Sequence, residues 1–271
     1  MSPDSRDPAP DRFANAGDID LTGLTETQLN ILASMAEAMR VPVDVSDTDG
    51  SDLASVTFIE AMSNLLTLHH AQHEEPLNKK SFEYLFKTCL IASGRPAQMN
   101  PSPGDESWDI READMRWSLK TEAAKGISPN MIRIEKLMEA RWVRESNTPA
   151  QCAREVRLRL PQHMRDYDRI LVLRAFARPG AYLYELVEVP KDLLVRAFTT
   201  ARPADFEKQG SSISFGANFS GSDGKRIFRM LLDSSVEKIR LWYQRDSARV
   251  HGRWLVQVDR AQEAQQNAIE A

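Results

Sequence analysis

Asp109, Lys120 and Glu122 are residues whose types and spacing could do chemistry. Trp108-Asp109-Ile110 and Arg116-Trp117-Ser118-Leu119-Lys120-Thr121-Glu122 read as two short strands joined by a polar turn, Arg111 to Met115. Side chains alternate along a strand, so Ser118, Lys120 and Glu122 share one face while Trp117, Leu119 and Thr121 take the core face. A lysine between polar residues, beside an aspartate on the neighbouring strand, suits a divalent metal and phosphodiester hydrolysis. That reaction needs positive charge on the non-bridging oxygens and a water made nucleophilic at neutral pH. Magnesium is held by one or two carboxylates plus substrate oxygens and water. Asp109 and Glu122 can supply carboxylates, and Lys120 can orient or deprotonate the water and offset charge at phosphorus. The structural alternative is a half-buried hairpin with a snorkelling lysine and surface acids.

The elements that must position these residues come from the flanks. Asn78 caps a helix to Ala92, with Phe82, Leu85, Phe86 and Cys89 as its stripe and a stop at Ser93-Gly94. Glu83 lies beside that stripe, where it can pair along the helix with Lys79, Lys80 or Lys87 or point into a site. After the hairpin, Ser128 and Pro129 suit the start of another helix with the stripe Ile134, Leu137, Met138 and Trp142. On that helix Arg133, Lys136 and Arg141 would lie toward a bound phosphate.

Asp109, ten residues, then Ser118-Leu119-Lys120-Thr121-Glu122-Ala123 resembles the PD-(D/E)xK nuclease signature, in a form similar to a set of type II restriction endonucleases. Asn78-Lys79-Lys80-Ser81-Phe82-Glu83 before it and Ile134-Glu135-Lys136 after it extend the resemblance over roughly residues 75–187. Two positions depart from the pattern. Trp108 stands where proline is usual, and Ser118 replaces the acid two residues before the lysine. The second carboxylate must then come from elsewhere: Glu122 first, Glu83 as a supporting ligand, Glu135 third. Ser118 would contribute at most a hydrogen bond. The resemblance implies an α/β restriction-endonuclease-like core, a mixed central sheet flanked by helices. It implies Mg2+-dependent, sequence-specific cleavage of double-stranded DNA in defence against foreign DNA. It also implies a homodimer on a palindromic site and a cognate DNA methyltransferase that protects the host.

Composition agrees with a globular chain of 271 residues, 42% hydrophobic and 27% charged. With only Cys89 and Cys152, a disulfide framework or cysteine zinc site is not expected, and a cytoplasmic location fits. No run reaches the length of a membrane span, and Met1 to Ala16 is unlike a signal peptide. The net charge of −4 hides an asymmetry, because residues 1–75 hold 14 acidic and 3 basic residues and residues 76–271 hold 25 and 32. A basic body under an acidic lobe fits partial contact with DNA, and equally a drifted surface charge.

Along the chain, residues 1–24 read as a proline-bearing tail and 25–75 as an acidic helical lobe. Thr25-Glu26-Thr27-Gln28 caps its first helix, striped by Leu29, Leu32, Met35, Ala36 and Met39. Asp47-Thr48-Asp49-Gly50 lacks the closing glutamate of a calcium loop and reads as a turn. A second helix, residues 53–72, packs through Val56, Ile59, Met62, Leu65, Leu66 and Leu68, and ends in His69, His70 and His73, read as ordinary helix-end histidines. Residues 76–260 form the endonuclease domain, with a catalytic core over about 78–190, a basic β-rich part over about 205–260 and a tail at 261–271. Pro161 should interrupt a basic helix near Arg154, Arg157 and Arg159, and Pro190 should open another. Lys238 and Arg240 share a strand face opposite Ile239 and Leu241, and with Lys125, Arg133 and Lys136 they are the candidate DNA contacts. Two other functions remain open: a repair or modification-dependent nuclease, and a non-catalytic DNA-binding protein in which Ser118 marks a decayed site.

Overall fold

The computed structural model describes residues 20–102, 107–210, 213–221 and 223–258. The expected tail over 1–24 lies largely outside them, and that over 261–271 wholly so. The elements in chain order are α1 (Glu26–Arg40), β1 (Asp44–Ser46), α2 (Val56–His70), α3 (Lys79–Ala92), β2 (Ala97–Met99), β3 (Ile110–Glu112), β4 (Met115–Glu122) and β5 (Met131–Glu139). They continue with α4 (Pro149–His163), β6 (Arg169–Arg178), β7 (Ala181–Val189), α5 (Lys191–Thr199), β8 (Phe206–Lys208), β9 (Phe215–Ser220), β10 (Arg226–Asp233), β11 (Lys238–Gln244) and β12 (Arg249–Gln257). They build two sheets, ordered β1-β12-β7-β6-β4-β3-β2 and β5-β11-β10-β9-β8. The first is mixed, because β4 pairs parallel to β6 while its other pairs are antiparallel.

Alternation along the strands decides which layer covers each sheet face. Trp117, Leu119, Leu171, Leu173 and Trp254 pack on Phe58, Met62, Phe82 and Phe86 of α2 and α3. On the opposite face, Ile170, Val172, Val187 and Val189 meet α4, α5 and the inner residues of the second sheet. Burying a single large side chain of this kind contributes about 1.5–3 kcal/mol, so two opposed cores hold the central strands from both sides. Trp117 is wedged between Phe86, at a ring-centroid distance of 5.3 Å, and the Arg169 guanidinium, 4.5 Å from its ring.

Several expectations need correction. Residues 131–139 are strand β5, not a helix. Opposite β11 the register jumps between Ile239↔Met138 and Leu241↔Ile134, a bulge that places extra residues between Ile134 and Met138. Inward-facing Ile132, Ile134 and Leu137 thereby acquire a spacing that mimics a helix. The α1 cap is present, with Thr25 and Gln28 exchanging hydrogen bonds, but its stripe is not a core stripe. Leu29, Leu32 and Met39 are exposed, and only Ala38 of α1 is buried. Val56 at the start of α2 is also exposed, and Phe58, Met62 and Leu66 do the packing. Pro161 lies within α4, whose last turn continues to His163. Strand β12 leaves the basic β-rich part and pairs with β7 in the first sheet. No helix among the described residues is long and apolar enough to cross a membrane.

One ionic cluster ties β6, β7 and β12 to the loop before α2. Arg169 bonds Glu188 and Asp52, and His251 Nε2 lies 3.1 Å from Glu188 Oε2. Burial pushes the Glu188 carboxyl up, but hydrogen bonds from His251 and Arg169, with the Arg169 charge, hold it at about 2 instead of its ordinary 4.5. A depressed carboxyl contributes stability that is fully present above pH 4.5 and lost as pH falls toward 2. Glu188→Gln should therefore melt at lower temperature at neutral pH and show a shallower loss of stability between pH 4.5 and 2. Thermal melts across that range read both effects.

Candidate active site

The hairpin explains the ten-residue interval. Its strands pair with Ile110 opposite Trp117 and turn at Ala113 and Asp114, which puts Asp109 opposite Ser118. Ile110 and Trp117 face the core, so Asp109 and Ser118 face the other way, and Lys120 follows Ser118 two residues along. The Asp109 N–H donates to the Trp117 carbonyl at 2.8 Å, and its Oδ2 accepts from the Leu119 N–H at 2.6 Å. The carboxyl group is thus clamped to the backbone of β4 through one oxygen.

Asp109, Ser118 and Lys120 line a cleft of about 440 Å3. Opposite them stands the N-terminal end of α3, which contributes Lys79 and Lys80 from its first turn and Glu83 from the next, and the far wall is β5 with Lys136 and Glu139. The sequence forms α3 here because the Asn78 side chain accepts from the Ser81 N–H and because Phe82, Leu85 and Phe86 bury one face. Glu83 follows Phe82, and its side chain is only 9% exposed. Lys79 Nζ reaches both carboxylates, at 2.7 Å from Asp109 Oδ1 and 3.3 Å from Glu83 Oε1. Lys80 Nζ lies 3.0 Å from Glu83 Oε2.

One ammonium therefore already sits between Asp109 and Glu83, where a divalent metal would bring twice its charge. Two carboxylates in an open, water-accessible cleft fit magnesium, which keeps several waters and substrate oxygens in its shell. Among the described residues no three His, Cys, Asp or Glu side chains gather into a metal-holding group, so any metal here would lean on substrate and solvent as well.

Glu122 does not join this pair. It shares the strand face of Lys120, but beyond Lys120 that face turns inward, where Glu122 is 8% exposed and accepts from Arg174 Nε at 2.7 Å. Burial pushes its carboxyl above the ordinary value, although the Arg174 hydrogen bond and charge pull it down. Arg174 is fully buried and also donates to Glu185 Oε2 at 2.8 Å, the Met131 carbonyl at 2.8 Å and the Ser128 carbonyl at 2.5 Å. Burial opposes ionisation of Glu185, but donors from Arg245, Arg253 and Arg174 outweigh it and hold its carboxyl below the ordinary value.

Glu135 is likewise engaged elsewhere, with Arg133 and with Arg240 Nη2 at 2.7 Å. Lys125, Arg133 and Glu135 line a second pocket of about 300 Å3 with Glu122 and Trp242. The outer face of the second sheet holds Arg133 and Arg229 beside the Trp242 ring, at 5.6 and 5.7 Å, with Arg240 next to them. Lys238 and Arg240 alternate with buried Ile239 and Leu241, and Arg240 also pairs with Asp233 at 2.9 Å. Lys136 pairs with Glu139 at 2.9 Å inside the first cleft. Sequence reasoning offered Lys79 only as a surface partner of Glu83, a pair the structure contains, and missed both its bridge to Asp109 and the role of Arg174. Two lysines at the start of a helix, where a basic charge is disfavoured, were the available signal for the first. Arg174 lay in a strand that otherwise reads as apolar.

Residues 18–256 match a family model described as SmaI, type II site-specific deoxyribonuclease. The type II restriction enzyme SmaI of Serratia marcescens is 28% identical over 242 residues, covering 85% of this chain and 92% of that protein. No solved structure matches the chain.

Proposed function

Since the chain belongs to the SmaI family of type II site-specific deoxyribonucleases, we propose that it cuts double-stranded DNA in the cleft between α3 and the β3–β4 hairpin, with Mg2+ held by Asp109 and Glu83. The observation that carries this reading is the convergence of Asp109 Oδ1 and Glu83 Oε1 on one ammonium, in a cleft that Lys120 also lines. On this reading the core is of the PD-(D/E)xK type, and the acid that Ser118 lacks is supplied from α3. Bound Mg2+ would supply charge to the phosphate oxygens and lower the pKa of a coordinated water.

The protein's own residues do the rest. Asp109, whose Oδ2 is fixed by the Leu119 N–H, would hold the metal together with Glu83. Lys120 orients or deprotonates the attacking water and faces the charge that builds up on phosphorus. Lys80 and Lys136 hold the phosphate backbone at the rim, while Lys125, Arg133, Lys238 and Arg240 extend the contact along the second pocket and sheet. The acidic lobe over 25–75 stays off the DNA, and residues 76–260 act as the endonuclease domain. One centre per chain and two strands to cut imply a twofold homodimer, a palindromic site and a methyltransferase that protects host DNA in the same cytoplasm.

Digestion of unmethylated plasmid and phage DNA, with Mg2+ and with chelator, tests the reading. Discrete fragments in Mg2+ alone are expected, and sequencing their ends gives the site. Cutting confined to methylated DNA would instead favour a modification-dependent role.

A further inference from the structure

We propose that Lys79 is an internal counter-ion that occupies the divalent-cation position in the DNA-free protein, so that metal enters only by displacing its ammonium. The proposal rests on the metal site assigned above and adds what guards it. Nζ stands within bonding range of one oxygen of each carboxylate, 2.7 Å from Asp109 and 3.3 Å from Glu83. A divalent cation and an ammonium cannot both lie there, since at such separations their repulsion is large even in a well-screened cleft.

The three partners differ in freedom. Asp109 is clamped by the Leu119 N–H and its side chain is 17% exposed, and Glu83 is 9% exposed on a well-capped helix. The Lys79 side chain is 45% exposed on a flexible four-carbon stem. The lysine is therefore the part that moves.

Its location on α3 points the same way. The first turn of this helix has no acidic residue and begins Lys79-Lys80. Cations at a helix N-terminus are disfavoured by the unpaired N–H groups there. Such a placement breaks a local rule, and the carboxylates of Asp109 and Glu83 are the compensation it finds. Once displaced, the Lys79 ammonium joins Lys80, Lys120 and Lys136 on the cleft wall, where DNA phosphates would keep it. Metal and DNA then favour each other's binding through one side chain.

The test is Mn2+ binding to the full-length, DNA-free protein, read as loss of the free Mn2+ signal in electron paramagnetic resonance. Lys79→Met and Lys79→Gln should each bind Mn2+ roughly fivefold more tightly than the wild type, the effect of removing one partly exposed ion pair. Lys136→Met removes the same charge from the same cleft and should stay within about twofold of the wild type. Adding Asp109→Ala to Lys79→Met should abolish the tight binding. Equal tightening in the Lys79 and Lys136 variants, or none in the Lys79 variants, would overturn the counter-ion role and leave an Asp109-dependent metal site standing. Binding that never depends on Asp109 would overturn the metal site and this proposal with it.

Discussion

Lys120→Ala is expected to lower single-turnover cleavage by about 10²–10⁴-fold, the range attached to a positioned proton-transfer group. DNA binding should fall only modestly, because Lys80 and Lys136 stay on the cleft wall. Pairing of Ile110 with Trp117 sends Asp109 and Lys120 to the same side of the hairpin, and both line the cleft that holds Glu83. Lys120→Arg should not rescue the rate, because a guanidinium keeps the charge but cannot give up a proton at neutral pH. Single-turnover rates measured beside filter-binding affinities separate the two effects. A Lys120→Ala variant that cut within tenfold of wild type would remove Lys120 from the chemistry.

Arg174→Met should destabilise the protein by about 3–5 kcal/mol, the cost of leaving buried charges without their partner. The Arg174 side chain is 0% exposed, and Glu122 and Glu185, both buried, lose a donor at once. Glu185 keeps Arg245 and Arg253, each with a nitrogen 2.8 Å from its Oε1, so the larger loss falls on Glu122. The same substitution frees the Ser128 and Met131 carbonyls, which hold the loop between β4 and β5. Urea unfolding measures the loss. Arg174→Met with Glu122→Gln should recover part of it, since the second change removes the orphaned charge. A loss below about 1 kcal/mol would mean that solvent reaches this cluster and screens it.

How much of this was legible in the sequence differs from element to element. The α3 cap, its Phe82-Leu85-Phe86 face and the β3–β4 hairpin could be read because each depends on neighbours a few residues apart. Strand β5 could not, because its bulge is set by β11, about a hundred residues later, and it spaces Ile134 and Leu137 as a helix would. The α1 stripe was visible as a pattern, but nothing in the pattern says whether a partner surface covers it, and here Leu29, Leu32 and Met39 are exposed. At the proposed site, the shared face of Asp109 and Lys120 follows from the hairpin alone. The sequence put Glu122 ahead of Glu83 and Glu135 because nothing local shows that Arg174 on β6 lies beside Glu122, a contact 52 residues apart. The strand alternation that grouped Lys120 with Glu122 was correct, yet the sheet takes the half-buried Lys120 to the wall of the cleft and Glu122 into the core.

The most direct measurement is the single-turnover cleavage rate of Glu83→Gln and Glu122→Gln across a Mg2+ titration, on whichever unmethylated DNA the wild type cuts. Glu83→Gln is expected to lose at least about a hundredfold and to need more Mg2+, because it removes one of the two carboxylates proposed to hold the metal. Glu122→Gln should cut within about threefold of wild type at saturating Mg2+ and show its effect in the melting temperature, as a partner of Arg174 would. The reverse pattern, a silent Glu83→Gln and an inactive but stably folded Glu122→Gln, would contradict the assignment and move the metal to the far end of β4.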